Sequence, residues 1–218
     1  MKKYTTAIFD LDGTLLNTID DLADSVNYTL KELQMPQRSL EEVLSYVGNG
    51  IQVLIHKAVP EHTSKEIEDK AFAVFREHYL ANCEVKTAPY PGILELLDKL
   101  QQAGIKTAIV SNKNDVPVKK LNQTYFGNRI PVAIGEKEAK GIRKKPAPDT
   151  VFEAMKELGS KTEESIYIGD SEVDKETAIN AGMPVILVSW GFRDREFLKA
   201  LDPEYLVDTV KELENILV

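Results

Sequence analysis

Thr5-Thr6-Ala7-Ile8-Phe9-Asp10-Leu11-Asp12-Gly13-Thr14-Leu15 is an apolar run that stops at two aspartates one residue apart and passes into Gly-Thr. A short apolar run bounded by turn residues reads as a buried strand. The ends of strands in open parallel sheets are where ligands bind. Two carboxylates held together there repel. At about 4 Å and an effective dielectric of about 20, each like-charge pair costs about 4 kcal/mol. A divalent cation removes that cost, and oxygen ligands favour Mg2+.

The same alternation recurs further along. Thr107–Val110, Val132–Ile134, Ile166–Ile168, Val185–Val188 and Tyr205–Val207 are the other expected strands. Helices are expected at Pro91–Ala103, Asp115–Tyr125, Pro148–Leu158, Val173–Ala181 and Thr209–Leu217, with Gly104, Gly159 and Gly182 as stops. Strands alternating with helices at this spacing make βαβ units and a parallel sheet covered on both faces. Thr18 to about Asn82 breaks the rhythm and reads as helices Asp20–Gln34, Ser39–Val47, Ile51–Val59 and Ser64–Ala81, with a Ser39/Glu42 capping box. An insert of that size should bury its own small core. The expected fold is therefore α/β, a Rossmann-like parallel sheet core with an inserted all-helical cap domain. Residues 1–15 and 84–218 would form the core and residues 16–83 the cap, jointed near Leu15–Thr18 and Cys83–Pro89.

Composition bounds the function. The chain has 218 residues, 43% hydrophobic and 28% charged, which is ordinary for a globular protein. A net charge of −8 argues against nucleic acid as the main partner. The single cysteine, Cys83, excludes an intramolecular disulfide and a cysteine-rich zinc site. Without a recognisable leader or an apolar run of membrane length, the expectation is a cytoplasmic protein without a membrane partner, a monomer or weak homodimer. His56, His62 and His78 do not share an i, i+4 helix face and read as solvated helix residues.

The strand ends carry the candidate chemistry. Asp10 and Asp12 follow the first strand, and Ser111, Asn112 and Lys113 follow Thr107–Val110. Asp170 and Ser171 follow Ile166–Ile168, with Asp174 four residues beyond Asp170, and Lys145-Pro146 precedes the Pro148–Leu158 helix. Such a set suits phosphoryl transfer, which needs positioning and charge neutralisation. A carboxylate can be the nucleophile, a second carboxylic acid can protonate the leaving oxygen, and a hydroxyl, backbone N–H groups and an ammonium can hold the phosphoryl oxygens.

Asp10-Leu11-Asp12-Gly13-Thr14, Ser111, Lys145-Pro146 and Gly169-Asp170-Ser171-Glu172-Val173-Asp174 resemble the four ordered motifs of the haloacid dehalogenase superfamily. The helical insert resembles that superfamily's mobile cap. The resemblance implies Asp10 as nucleophile and Asp12 as general acid and base. Mg2+ would be bound by the Asp10 carboxylate, the Asp12 backbone carbonyl and Asp170. Ser111 and the Asn112 N–H would hold phosphate, and Lys145 would hold nucleophile and phosphate together. Asp174 would pair with Lys145 or a metal-bound water. Tyr46-Val47-Gly48-Asn49-Gly50-Ile51, Pro89-Tyr90-Pro91-Gly92 and Ser189-Trp190-Gly191-Phe192-Arg193 are similar to segments of the bacterial phosphoglycolate phosphatases, although Ser111 stands where many of these carry Thr. Gly48, Asn49 and Gly50 would then face the substrate; read from the residues alone, they make a helix–helix turn. The expected substrate is a small phosphorylated metabolite, 2-phosphoglycolate first. A nucleotidase, pyrophosphatase or sugar phosphomutase is the alternative within the superfamily, and a catalytically silent scaffold the alternative outside it. A phosphomutase would need a cap cation, for which Arg38 and Lys57 are candidates. Trp190 reads as a loop anchor rather than a substrate stacker, and for Lys113 a substrate-facing role is left open.

Overall fold

The computed structural model describes residues 4–218, and of Lys140 the backbone only. Strand β1 (Thr6–Phe9) opens the chain, and β2 (Leu16–Asn17) leads out of it. Four helices follow: α1 (Ile19–Glu32), α2 (Leu40–Tyr46), α3 (Ile51–Ala58) and α4 (Lys65–Asn82). The chain returns through β3 (Ala88–Pro89), which pairs with β2. Then come α5 (Ile93–Gln102), β4 (Lys106–Asn114), α6 (Asp115–Leu121), β5 (Val132–Glu136), α7 (Asp149–Leu158), β6 (Ser165–Gly169), α8 (Glu172–Ala181), β7 (Val185–Val188), α9 (Arg195–Ala200), β8 (Tyr205–Val207) and α10 (Val210–Leu217).

The main sheet has six strands in the order β5-β4-β1-β6-β7-β8, all paired in parallel. Parallel sheets bury both faces, so their strands need not alternate polar and apolar. Accordingly β1, β6 and β7 are buried at every position. On one face Ile8, Ala108, Val110, Tyr167 and Leu187 pack with Val151 and Ala154 of α7 and Ala178 of α8. Strand β1 is central, and the chain turns from the β4 side to the β6 side around it, so its carboxyl end is the topological switch point. Register places Phe9 opposite Ile109 of β4 and Ile168 of β6. Asp10 and the residues that follow Ile109 and Ile168 therefore emerge at one level.

The chain divides into two compact units, one holding the chain up to Leu16 with Pro89–Val218, the other Asn17–Ala88. The second boundary lies beyond the expected one at residue 83. Asp21, buried in α1, explains the difference: its carboxylate accepts from the Lys86 N–H at 2.9 Å and the Thr87 N–H at 2.9 Å, tying the returning chain to the helices. Within the helical unit α1 packs on α4 and α2, and α3 on α2 and α4. Val26, Leu30, Val43, Leu54, Phe75 and Tyr79 are buried. The Ser39/Glu42 capping box forms. His56 is exposed and pairs with Glu68, while His78 stacks on Tyr28 and bonds Ser25. His62 lies in a turn with φ of 67°, not in a helix.

Within the sheet unit α9 has no counterpart in the sequence expectation, and two further elements differ from it. Strand β4 runs on through Asn114, with a register shift between Val110 and Asn114, so Ser111-Asn112-Lys113 belong to the irregular end of a strand. Helix α6 stops at Leu121 and widens into a π turn over Asn122–Phe126, ended by Gly127 at φ 54°. The Asn122 amide donates to the Ile130 carbonyl at 3.1 Å there.

Candidate active site

After Phe9 the Asp10 N–H continues the ladder by donating to the Ile168 carbonyl at 2.8 Å. The next turn folds back on itself. The Leu15 and Leu16 N–H groups both donate to the Leu11 carbonyl at 3.0 Å, and the Gly13 N–H donates to the Leu16 carbonyl at 2.9 Å. Gly13 sits at φ 84°, and a Cβ there would collide with the Asp170 carboxylate. Only glycine combines that backbone with so close an approach. Gly191 does the same from the β7–α9 connection: its Cβ would strike both Asp170 and the Gly13 carbonyl.

The expected residues of the sheet unit lie at this edge. Lys145, buried, places its Nζ 2.8 Å from Asp10 Oδ1 and 2.8 Å from Asp174 Oδ1. The peptide bond from Lys145 to Pro146 is cis, and the Lys145 carbonyl accepts from the Asn112 amide at 3.1 Å. Asp174 is fully committed. Its Oδ2 accepts from the Asp170 N–H (3.1 Å), the Ser171 N–H (3.1 Å) and the Ser171 hydroxyl (2.6 Å), closing the capping box that starts α8. Asp170 Oδ2 accepts from the Phe192 N–H at 2.6 Å, and Oδ1 from the Thr14 hydroxyl at 3.4 Å. Ser111 and Asn112 are buried at the end of β4, where the Ser111 hydroxyl accepts from the Lys113 N–H at 3.1 Å. Asp12, half-buried, is paired with the Lys113 ammonium. Trp190 anchors its loop by donating from Nε1 to the Thr14 carbonyl at 3.1 Å. Gly48, Asn49 and Gly50 belong to the helical unit, where they form the turn before α3, with Gly48 and Gly50 at φ 117° and 88°.

The haloacid dehalogenase-like hydrolase profile matches residues 7–188, which include Asp10, Asp12, Ser111, Asn112, Lys113, Lys145, Asp170 and Asp174. The chain belongs to that family. A phosphoglycolate phosphatase of Aquifex aeolicus is 33% identical over 216 residues, 97% of each chain. A crystal structure from Lactobacillus delbrueckii subsp. bulgaricus, provisionally named a phosphoglycolate phosphatase, superposes with a TM-score of 0.93 at 37% identity, covering 100% of this chain and 99% of that one. A mutant of CbbY from Rhodobacter sphaeroides, solved with xylulose-1,5-bisphosphate, gives a TM-score of 0.77 at 25% identity over 98% and 96% of the two chains. The protein is thus an enzyme, a phosphatase-type hydrolase of the haloacid dehalogenase-like family.

The electrostatics show a site short of positive charge. Burial pushes Asp10 up to about 7, with Lys145 opposing and Asp174 and Asp12 adding to the rise. Burial likewise holds Asp170 well above the carboxylate range, helped by Asp174 and Asp10 and opposed by the Phe192 N–H. Burial works against the charge of Lys145, yet Asp10 and Asp174 hold it well above its usual value. Oxygens of Asp10, Asp170 and Asp174 lie within 4.8 Å of one another. This all-oxygen set fits a hard divalent cation. Asp174 accepts from the Lys145 ammonium on one oxygen and from three donors on the other, whereas each Asp170 oxygen holds a single donor, so Asp10 and Asp170 are the carboxylates best placed to take that cation.

A sign follows for stability. Between about 3.8 and about 7 the folded chain holds a proton on Asp10 that the unfolded chain has lost. Through that window this group's contribution to metal-free stability falls as pH rises. A cation that binds the ionised form offsets the loss. Thermal melts should show Mg2+ raising Tm more near pH 8 than near pH 5, with chelator present as the reference. Equal shifts at the two pH values would contradict the assignment.

Proposed function

We propose that the enzyme hydrolyses a small phosphomonoester, 2-phosphoglycolate first, through a phosphoenzyme on Asp10. The observation that carries this reading is the pairing of Lys145 with both Asp10 and Asp174 at 2.8 Å beside Asp170, on the edge that also holds Asp12 and Ser111. An Asp10 carboxylate oxygen attacks phosphorus, and the bond to the leaving oxygen breaks as Asp12 gives that oxygen its proton. Water then attacks the phosphorus of the acyl phosphate, Asp12 takes the proton, and phosphate leaves with Asp10 restored. Ser111 and the Asn112 N–H hold the phosphoryl oxygens, and Lys145 neutralises charge between nucleophile and phosphate. Mg2+, held by Asp10, Asp170 and the Asp12 backbone carbonyl, would supply charge screening between the nucleophile and the phosphoryl group. For Gly48, Asn49 and Gly50 as substrate-side residues, the support is their likeness to the cap loop of phosphoglycolate phosphatases.

The substrate has separate support in the 33% identity to the Aquifex aeolicus phosphoglycolate phosphatase across 97% of both chains. Phosphate release measured with Mg2+ over a panel of 2-phosphoglycolate, sugar phosphates, nucleotides and pyrophosphate tests it. The highest kcat/KM is expected for 2-phosphoglycolate. Release confined to nucleotides, pyrophosphate or sugar phosphates would replace the substrate, and sugar phosphate rearranged without release would replace the reaction.

A further inference from the structure

Among the described residues two buried ammonium groups reach the catalytic edge, and the mechanism above uses one. Lys145 is committed to Asp10 and Asp174. The other, Lys113, has a side chain only 4% exposed and places its Nζ on Asp12 Oδ1. Burying a lysine costs free energy that a partner must offset, so its placement requires a reason. We propose that Lys113 is a specificity-determining residue that binds the carboxylate of the substrate's leaving group.

The geometry follows from the chemistry of Asp12. This inference rests on the 2-phosphoglycolate reading, in which Asp12 protonates the oxygen that leaves phosphorus. The carbon side of the substrate therefore lies next to Asp12, away from the Lys145–Asp10 pair. In 2-phosphoglycolate the carboxylate is one methylene removed from that oxygen. The Lys113 ammonium lies directly on Asp12 Oδ1, beside the proton that goes to the leaving oxygen. Lys113 is thus within reach of both the acid and an anionic group attached beside the leaving oxygen. The Ser111 hydroxyl, accepting from the Lys113 N–H at 3.1 Å, fixes the backbone from which the side chain extends. The competing role is charge balance alone, with Lys113 neutralising Asp12 and never touching substrate.

The two roles separate on three substrates of similar size: 2-phosphoglycolate, 2-hydroxyethyl phosphate, and O-phosphoethanolamine. The wild-type enzyme is expected to rank them anionic, neutral, cationic by kcat/KM. Lys113→Met weakens Asp12's ionic surroundings and lowers turnover of every ester. Its preference for 2-phosphoglycolate over 2-hydroxyethyl phosphate should in addition fall about ten- to a hundred-fold, the range for losing one charged hydrogen bond. The extra loss should fall mainly on KM, and Lys113→Arg should restore most of the preference. A common loss for both esters in Lys113→Met, with their ratio unchanged, would leave only charge balance and overturn the inference. If Lys113→Met does not fold, the wild-type ranking and Lys113→Arg still decide: equal turnover of O-phosphoethanolamine and 2-phosphoglycolate overturns it. Release from sugar phosphates but from none of these three esters would overturn the substrate reading itself, and this inference with it.

Discussion

Asp10→Asn is expected to abolish turnover, by about 10⁴-fold or more, the scale on which loss of a covalent nucleophile falls, while leaving the fold at least as stable. The two halves of that expectation come from one observation. Asp10 is buried, and burial holds its pKa up to about 7. Its ionised form is thus costly in the metal-free fold near pH 8, and a neutral side chain of the same shape removes the cost. Lys145 keeps Asp174 as a partner at 2.8 Å. Rapid quench with phosphorus-labelled substrate should trap a hydroxylamine-sensitive acyl phosphate on the wild-type enzyme and none on Asp10→Asn. Urea unfolding near pH 8 without metal should show no loss of stability. A variant that keeps even a few per cent of wild-type turnover would move the nucleophile elsewhere.

The sheet was legible because parallel strands buried on both faces carry unbroken apolar runs. Thr6–Phe9, Val185–Val188 and Tyr205–Val207 are found at the bounds their residues suggest. The helical insert was legible for a related reason: capping boxes such as Ser39/Glu42 are local signals, as are Gly159 and Gly182, the glycine stops of helices in the sheet unit. What depends on distant partners was not. Glu84–Ala88 looks like linker, and it is partners in α1 more than sixty residues earlier, the Asp21 carboxylate on the Lys86 and Thr87 N–H groups and Asp24 on the Lys86 ammonium, that assign it to the helices. The extension of β4 through Asn114 depends on its pairing with Glu136 of β5. At the site, the pairing of Asp12 with Lys113 spans 101 residues of sequence. The Phe192 N–H on Asp170 likewise has no local signature. The one available hint was Gly191 between Trp190 and Phe192, a glycine where close approach of a carboxylate leaves no room for a Cβ.

Lys145→Met is expected to have the second-largest effect, and its signature differs from that of Asp10→Asn. Its side chain is 3% exposed, its Nζ lies 2.8 Å from two carboxylates, and it sits 5.7 Å from the centre of the Tyr167 ring. Removing one member of a buried ionic cluster leaves the others uncompensated, at a cost of about 3–5 kcal/mol. Lys145, its pKa raised, stays charged throughout pH 6 to 9, and because it opposes the rise of Asp10, the loss in metal-free protein should grow across that range as Asp10 ionises. Activity should behave differently. Without Lys145, the force that opposes the rise of Asp10 is gone, so the nucleophile should stay protonated to higher pH. The ascending limb of the kcat profile should move to alkaline pH in Lys145→Met, and more Mg2+ should be needed for half-maximal rate. Guanidinium unfolding and pH-rate profiles at two Mg2+ concentrations separate these effects. Unchanged stability together with an unshifted limb would mean that Lys145 neither neutralises the carboxylates nor tunes Asp10, and the charge assignment of the whole edge would have to be redrawn.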